Sequence, residues 1–298
     1  MSFATLASKN TRRRRSPYPY WFYALPAAIF IVFFLLPTLT SFYFSLTRWS
    51  LFDSTYIGLN NFRQFFTDHA LLQGFINTFI YAVITTVLKV TIGMFLGVLL
   101  ASRILARGYL RSLVFFPTIV STIGVGITFS ALMNPEKGLF NTWLGYVGVQ
   151  GPYWLTDAHW ALLSVALVDV WKGVGIATVI YVAGVVSIPA EYFEAAKIDG
   201  AGALRSFTQI TLPLARPAAV TILILSVISG LRSFDLVWSM TNGGPGSASD
   251  VIASVIYKEY QAGFFGLSSA GNVVLSVVIA AVTLPLTAFL NRKSKKVY

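Results

Sequence analysis

Long apolar runs alternate along this chain with shorter polar segments. Six of the runs can cross a bilayer, which takes about 20 mostly apolar residues in a helix. They cover residues 22–46, 78–101, 112–133, 161–184, 217–238 and 270–290. The pattern predicts an all-α integral membrane protein with six transmembrane helices. The first run follows four arginines at 12–15. It is longer than a signal-peptide core of about 7–15 residues, and no small-x-small cleavage site follows it, so it reads as an uncleaved anchor. The predicted organisation is an N-terminal tail (1–21), the first span (22–46), an outside segment (47–77), a core of five spans (78–290) and a short C-terminal tail (291–298).

Composition supports this, since 56% of the 298 residues are hydrophobic and only 11% are charged. Charge adds orientation. The net charge of +11 comes from 22 Lys and Arg against 11 Asp and Glu. Placing both termini in the cytoplasm puts 15 basic residues in inside segments: Lys9, the arginines at 12–15, Arg103, Arg107, Arg111, Lys197, Arg205, Arg216, Arg292, Lys293, Lys295 and Lys296. Only Arg48, Arg63, Lys137 and Lys258 then lie outside. Basic residues favour the cytoplasmic face, so this split selects the topology and accounts for the positive charge without nucleic acid. The chain has no cysteine, and its two histidines, His69 and His159, lack the spacing of a helical zinc site. No metal site is expected.

The other outside segments, 134–160 and 239–269, carry turn signals at Asn134-Pro135, Gly151-Pro152 and Gly243-Gly244-Pro245. None of the three is long enough for an independent domain. Gly93 and Gly97 in the second span have helix-packing spacing.

The loop 185–216 stands apart. Ser187 can cap a helix and Pro189 suits its first turn. Residues 191–199 favour helix, Asp199-Gly200 is a turn signal, and a second short helix is expected over 201–211 before Pro213 and Pro217. Phe193, Ala196 and Ile198 offer apolar surface beside Glu194, Lys197 and Asp199. Two readings stand on physics alone: a helix that docks into a soluble partner's groove, or an amphipathic loop resting on lipid headgroups.

Glu194-Ala195-Ala196, then Gly200 after three residues, then Ile210-Thr211-Leu212-Pro213 after nine more, resemble the EAA loop of bacterial ABC importer permeases. Tyr56-Ile57-Gly58-Leu59-Asn60-Asn61-Phe62 is similar to the Y-x-G-L-x-N-F stretch of carbohydrate importer permeases. Thr241-Asn242-Gly243-Gly244-Pro245 resembles the T-x-G-G-P segment of the maltose-type first permease. The chain looks like the compact six-span form, without the large insertion of the enteric maltose subunit. The resemblance implies a type I ABC importer permease fold in the bacterial cytoplasmic membrane and a second homologous permease as partner. It also implies two ATPase subunits and an extracytoplasmic binding protein that delivers a sugar. ATP and Mg would be held by the ATPase subunits, and this chain has no G-x-x-x-x-G-K-[ST] phosphate loop of its own. It is therefore read as a transport subunit, not an enzyme. Glu194 would contact the ATPase, Ala195 and Ala196 would fit its cleft, and Asp199-Gly200 would turn the loop.

For the substrate, charge inside the spans is the best pointer, since a charged residue at a span's centre costs about 2.5–3.5 kcal/mol on insertion scales. Asp169 and Lys172 share a face of the fourth span at i, i+3, as a ligand site or as an ion pair. Gly173 and Gly175 would open room beside them. Trp171 would stack on a sugar or face lipid. Lys89 is a lone charge in the second span that pairs with Asp169, lines a cavity or snorkels. Ser226, Ser229 and Ser233 form one stripe on the fifth span, near Arg232. They line a pocket or bond to the preceding turn. Counted from Glu194 without gaps, the sugar contacts of the maltose-type subunit fall on Asp169, Lys172, Gly173, Ile176, Ser226, Gly230 and Ser233.

A phosphorylated polyol such as glycerol-3-phosphate is the alternative cargo, with Lys172 and Arg232 as phosphate ligands. A stand-alone secondary transporter or channel would need inverted repeats or broken helices carrying ion ligands. An intramembrane enzyme would need a nucleophile and base within the spans, where no His or Cys lies.

Overall fold

The computed structural model describes residues 20–50, 52–102 and 104–294. Lys9, the arginines at 12–15, Arg103, Lys295 and Lys296, which entered the charge count, lie outside the described residues. Four helices are individually long and apolar enough to cross a membrane, and two bent pairs bring the number to six if each pair is one span.

The first, α1 (Trp21–Ser45), buries none of its most apolar stretch within the chain. A π turn at Ile31–Leu35 precedes Pro37. Proline lacks the donor for an i−4 bond and clashes there, and the wider turn relieves both. A two-stranded hairpin follows, β1 (Thr47–Trp49) and β2 (Ser54–Tyr56), with Thr47 opposite Tyr56. Next come α2 (Asn60–Thr67) and α3 (His69–Ala101). Asp68 caps α3 by accepting from the Ala70 and Leu71 amides, so this helix begins nine residues before the expected span.

The expected third span, 112–133, is two helices. α4 (Arg107–Ile119) and α5 (Thr122–Leu132) meet at 96°. Pro117 weakens the last turn of α4, Val120 and Ser121 are extended, and the Ser121 hydroxyl caps α5. The unbroken apolar pattern hid this corner, because hydropathy is blind to a cap inside an apolar run. A short helix, α6 (Leu139–Tyr146), precedes α7 (Ala161–Val186).

Pro189, not Ser187, occupies the N-cap position of the loop helix α8 (Ala190–Ile198), which has no side-chain cap bond. Ser187 instead ends α7, and its hydroxyl donates to the Gly184 carbonyl. Gly200 follows at φ +73°, and the Ala201 amide donates back to the Ala196 carbonyl at 2.8 Å. This six-to-one closure needs a left-handed residue, which glycine adopts at no steric cost. α9 (Ala203–Leu214) runs past Pro213 because a π turn at Phe207–Thr211 precedes the proline. It bends by 66° into α10 (Arg216–Leu231).

The expected fifth span, 217–238, stops at Leu231. Arg232 to Phe234 leave the helical path and α11 (Asp235–Thr241) restarts it. α12 (Ile252–Gln261) and α13 (Phe265–Ser294) complete the described fold.

The α3–α7 seam holds the bundle together. Gly93 of α3 lies against Ala177 of α7, and Gly97 against Tyr181. A Cβ on Gly93 would stand 2.7 Å from the Ala177 Cβ. Missing side chains therefore allow close helix approach, which is the packing reading of this spacing. Both sequence numbers rise along the seam, so α3 and α7 run in the same direction. Beyond it, Tyr81, Val165, Val168, Val237 and Met240 pack with α5 and α11 in the main core.

Two of the recognised motifs tie the ends of helices. The Asn61 amide donates at 2.8 Å to the Ser45 and Thr47 carbonyls, fixing α2 against the end of α1. The loop after Thr241 is clamped by Asn77, which donates to the Ser247, Ala248 and Asp250 carbonyls. Asp250 accepts in turn from Ser254 at 2.8 Å and Lys258 at 2.7 Å. Gly243, at φ +82°, lies so close to the Asp250 carboxylate that a side chain would collide with it.

Candidate functional site

α3, α7 and α10 enclose a cavity in two compartments. The larger, about 280 Å³, lies away from the α8–α9 loop. Asp169, Lys172, Ser229, Arg232 and Ser233 line it together with Thr118 at the end of α4. The smaller, about 90 Å³, lies toward the loop between Ile176, Ile222, Leu225 and Ser226. Lys89, Gly173, Ile176 and Ser229 line both. The breaks that hydropathy concealed build the larger compartment: the α4–α5 corner contributes Thr118 and Thr122, and the α10–α11 break contributes Arg232 to Leu236.

The charges pair differently from the sequence spacing. Asp169 does not bond Lys172. Its carboxylate accepts from the Lys89 ammonium at 2.7 Å across the α3–α7 seam. The pair is largely buried, with 5% of the Lys89 and 16% of the Asp169 side chain exposed. Lys172 turns away and donates at 3.4 Å to the Thr118 carbonyl, while the Thr118 hydroxyl donates at 3.0 Å to the Lys172 carbonyl. An i, i+3 pair on one helix thus gives way to a cross-helix partner held head-on. Among the described residues no carboxylate lies within ion-pair distance of Lys172 or Arg232.

Gly173 and Gly175 do not open room for a ligand. A Cβ on Gly173 would stand 2.6 Å from Lys89 Cε, and one on Gly175 2.6 Å from the Thr118 hydroxyl. Neighbouring side chains fill both notches. Gly230 also lies off the cavity, buried against Ala82 of α3. Trp171 packs on Phe129, 5.0 Å between ring centres.

Ser226 and Ser229 are on α10, but Ser233 lies beyond its end, so the expected stripe is split. Among the described residues no hydrogen bond is found from Ser226 or Ser229 to the preceding turn, unlike Thr85 and Thr178, whose hydroxyls donate to carbonyls four residues back. Tyr81 approaches Asp169 and Ser233 from α3. Sequence reading missed Thr118 and Thr122, since nothing in an apolar run marks which residues a bend turns inward, and Tyr81, since the run does not mark which face of α3 meets α7.

On the loop, Glu194, Ala195 and Asp199 are exposed, and Ile198 is 87% exposed. Ala196, expected to offer outward apolar surface, is instead buried against the rest of the chain. Gly200 has open space around it, so its left-handed backbone, not crowding, requires glycine there. On the opposite side of the bundle, burial and then the nearby Asp68 charge push the Glu259 carboxyl above the ordinary carboxylate range.

Comparison with known proteins agrees with this architecture. The probable ABC transporter permease protein YurN of Bacillus subtilis is 32% identical over 89% of this chain and 93% of its own length. The trehalose/maltose transport system permease protein MalF of Thermococcus litoralis is 32% identical over 86% of this chain and 88% of its own. A bacterial ABC transporter that imports the acidic polysaccharide alginate shares the fold, with a TM-score of 0.78 at 21% identity over 92% of this chain and 96% of the matched chain. The family described as binding-protein-dependent transport system inner membrane component matches residues 89–296. A polar cavity between broken spans, an exposed turn-linked helix pair and relatives along nearly the whole length converge on one answer: this chain belongs to that family of inner membrane permeases of ABC importers.

Proposed function

We propose that the chain moves a sugar across the inner membrane as one half of a permease pair, driven by ATP on two separate ATPase subunits. A second homologous permease completes the pathway, and a solute-binding protein delivers cargo from outside. ATP and Mg belong to the ATPase subunits. In this reading both termini and the α8–α9 loop face the cytoplasm, which the distribution of basic residues supports.

One observation carries the reading: the loop is built into the walls of the cavity. α7 carries Asp169 and Ile176 and leads into α8, while α9 leads into α10, which carries Ser226 and Ser229. Ile176 is ten residues from the end of α7, about 15 Å at 1.5 Å per residue. A helix pair pushed by a docked ATPase therefore moves both walls. Glu194, Ala195 and Asp199 form the contact face, Ala196 roots the helix in the bundle, and Gly200 sets the angle between its two halves.

Asp169, Ser226, Ser229 and Ser233 supply acceptors and hydroxyls suited to a polyhydroxylated ring. Lys172 and Arg232 support a second reading, a phosphorylated polyol, because neither is paired with a carboxylate among the described residues. Co-purification with the neighbouring subunits tests the function. ATPase activity should rise when the loaded binding protein is added. A complex that holds no ATPase subunit, or whose activity ignores the binding protein, would sink it. Competition between neutral sugars and phosphorylated polyols for the binding protein separates the two cargoes.

A further inference from the structure

We propose that Lys89 is a solute-contacting residue of the pathway, its ammonium presented at the junction of the two compartments through the notch that Gly173 leaves in α7. The proposal rests on the permease reading above and adds to it a residue on α3.

The seam between α3 and α7 has a regular register. Lys89, Gly93 and Gly97 recur every four residues on α3 and meet Gly173, Ala177 and Tyr181 on α7. Bulk changes sides along it. Where α3 offers glycine, α7 carries Ala177 or Tyr181; where α7 offers Gly173, α3 carries Lys89. At two of the three steps the contact closes the seam. At the third, the side chain crosses it and reaches the cavity.

A Cβ at position 173 would stand 2.6 Å from Lys89 Cε, 3.0 Å from Nζ and 3.3 Å from Cδ. Glycine there is what lets the lysine stem pass. Asp169, one turn back on α7, then fixes the ammonium at 2.7 Å. An ammonium has three donors, and one hydrogen bond from Nζ, to Asp169, is found among the described residues. Lys89 lines both compartments, as do Gly173, Ile176 and Ser229. Anything passing between the compartments meets its remaining donors. Replacing a buried ion pair with apolar residues is often neutral or stabilising, so stability alone does not account for a pair at this place. Asp169 and Gly173 are positioning residues for this group.

The absence of cysteine in the chain makes the test clean. Lys89→Cys is introduced into the assembled transporter and treated with a glucosyl methanethiosulfonate. The thiolate displaces methanesulfinate and forms a mixed disulfide, read as a mass increase of this subunit. Ser164→Cys is the comparison, since that side chain is wholly buried and donates to the Trp154 carbonyl. The thiol at 89 should react at least about tenfold faster than the thiol at 164, because access controls the rate. A rate no faster than that at 164 overturns the proposal.

If Lys89→Cys alone does not assemble, adding Asp169→Asn removes the orphaned carboxylate and the same comparison decides. Treating Lys89→Cys with 2-aminoethyl methanethiosulfonate restores a cation on a stem of lysine-like length. That adduct should recover the binding-protein-stimulated ATPase activity lost in the variant, and the 2-sulfonatoethyl adduct should not. Equal recovery with both reagents, or with neither, overturns the proposal. Labelling needs no ATP turnover, so its failure is distinct from failure of the permease reading, which shows as an unmutated complex that never responds to the binding protein.

Discussion

The loop lies at the ends of α7 and α10 and the cavity further along the same helices, and the two follow opposite rules. The loop keeps its charges exposed: Glu194, Lys197 and Asp199 are all open to solvent. Each carries little folding energy there, so each is free to serve a partner. The cavity keeps its central charges buried and paired, so Lys89 and Asp169 are held by the fold as much as by function. The same residue types thus mean different things on either side of α7. An exposed charge can be changed at small cost to stability, and a buried one cannot.

Breaking one partner of the buried pair should give the largest effect. Lys89→Met leaves the Asp169 carboxylate unpaired, which costs about 3–5 kcal/mol. Thermal unfolding of the purified complex should show a large drop for Lys89→Met. Adding Asp169→Asn should recover much of it, and a double variant no better than the single one would contradict the pairing.

Gly200→Val comes next. A β-branched residue at φ +73° is strained by about 1–3 kcal/mol, confined to the loop. Membrane insertion should survive while ATP-driven uptake is lost. Normal uptake would show that the turn does not transmit motion.

Glu194→Ala should change stability by less than about 0.5 kcal/mol, as for other surface substitutions. It should nonetheless weaken retention of the ATPase subunits during purification. A variant that loses stability but keeps those subunits would reverse the contrast between loop and cavity.

The smallest effect concerns pH. Glu259 has a raised carboxyl value, so the folded protein favours its protonated form. Its contribution is complete below the unfolded-state value and is lost as pH rises through the folded-state value. The melting temperature of the complex should therefore fall less from acidic to neutral pH in Glu259→Gln than in the unmutated protein. Equal falls would remove Glu259 from the account.

Much of this is legible in the sequence alone. Glu194 and Gly200 declare themselves because a loop's local rules, caps, left-handed turns and charge, act over a few neighbouring residues. The spans are legible because lipid demands about 20 apolar residues whatever they pack against. Asp169, Lys172, Ser226 and Ser229 were also visible, as polar residues where few compete. Their relations were not. Spacing on one helix pairs Asp169 with Lys172, but the partner is Lys89, 80 residues earlier in the chain, which was only one of three readings open for that lysine. Gly173 reads as empty space, but a lysine fills it. Gly230 reads as a contact, but it packs on α3.

The sequence by itself determined that the chain is a membrane bundle, where its exposed helix-turn-helix loop lies and which few charges enter the spans. Each follows from a local or solvent-imposed constraint that a linear pattern records. Only the tertiary structure decided which charges meet, which glycines are notches for a neighbour, and that two spans break to wall the cavity. Those outcomes depend on side chains far apart in sequence approaching within a few ångströms, and helix register, not composition, sets that approach.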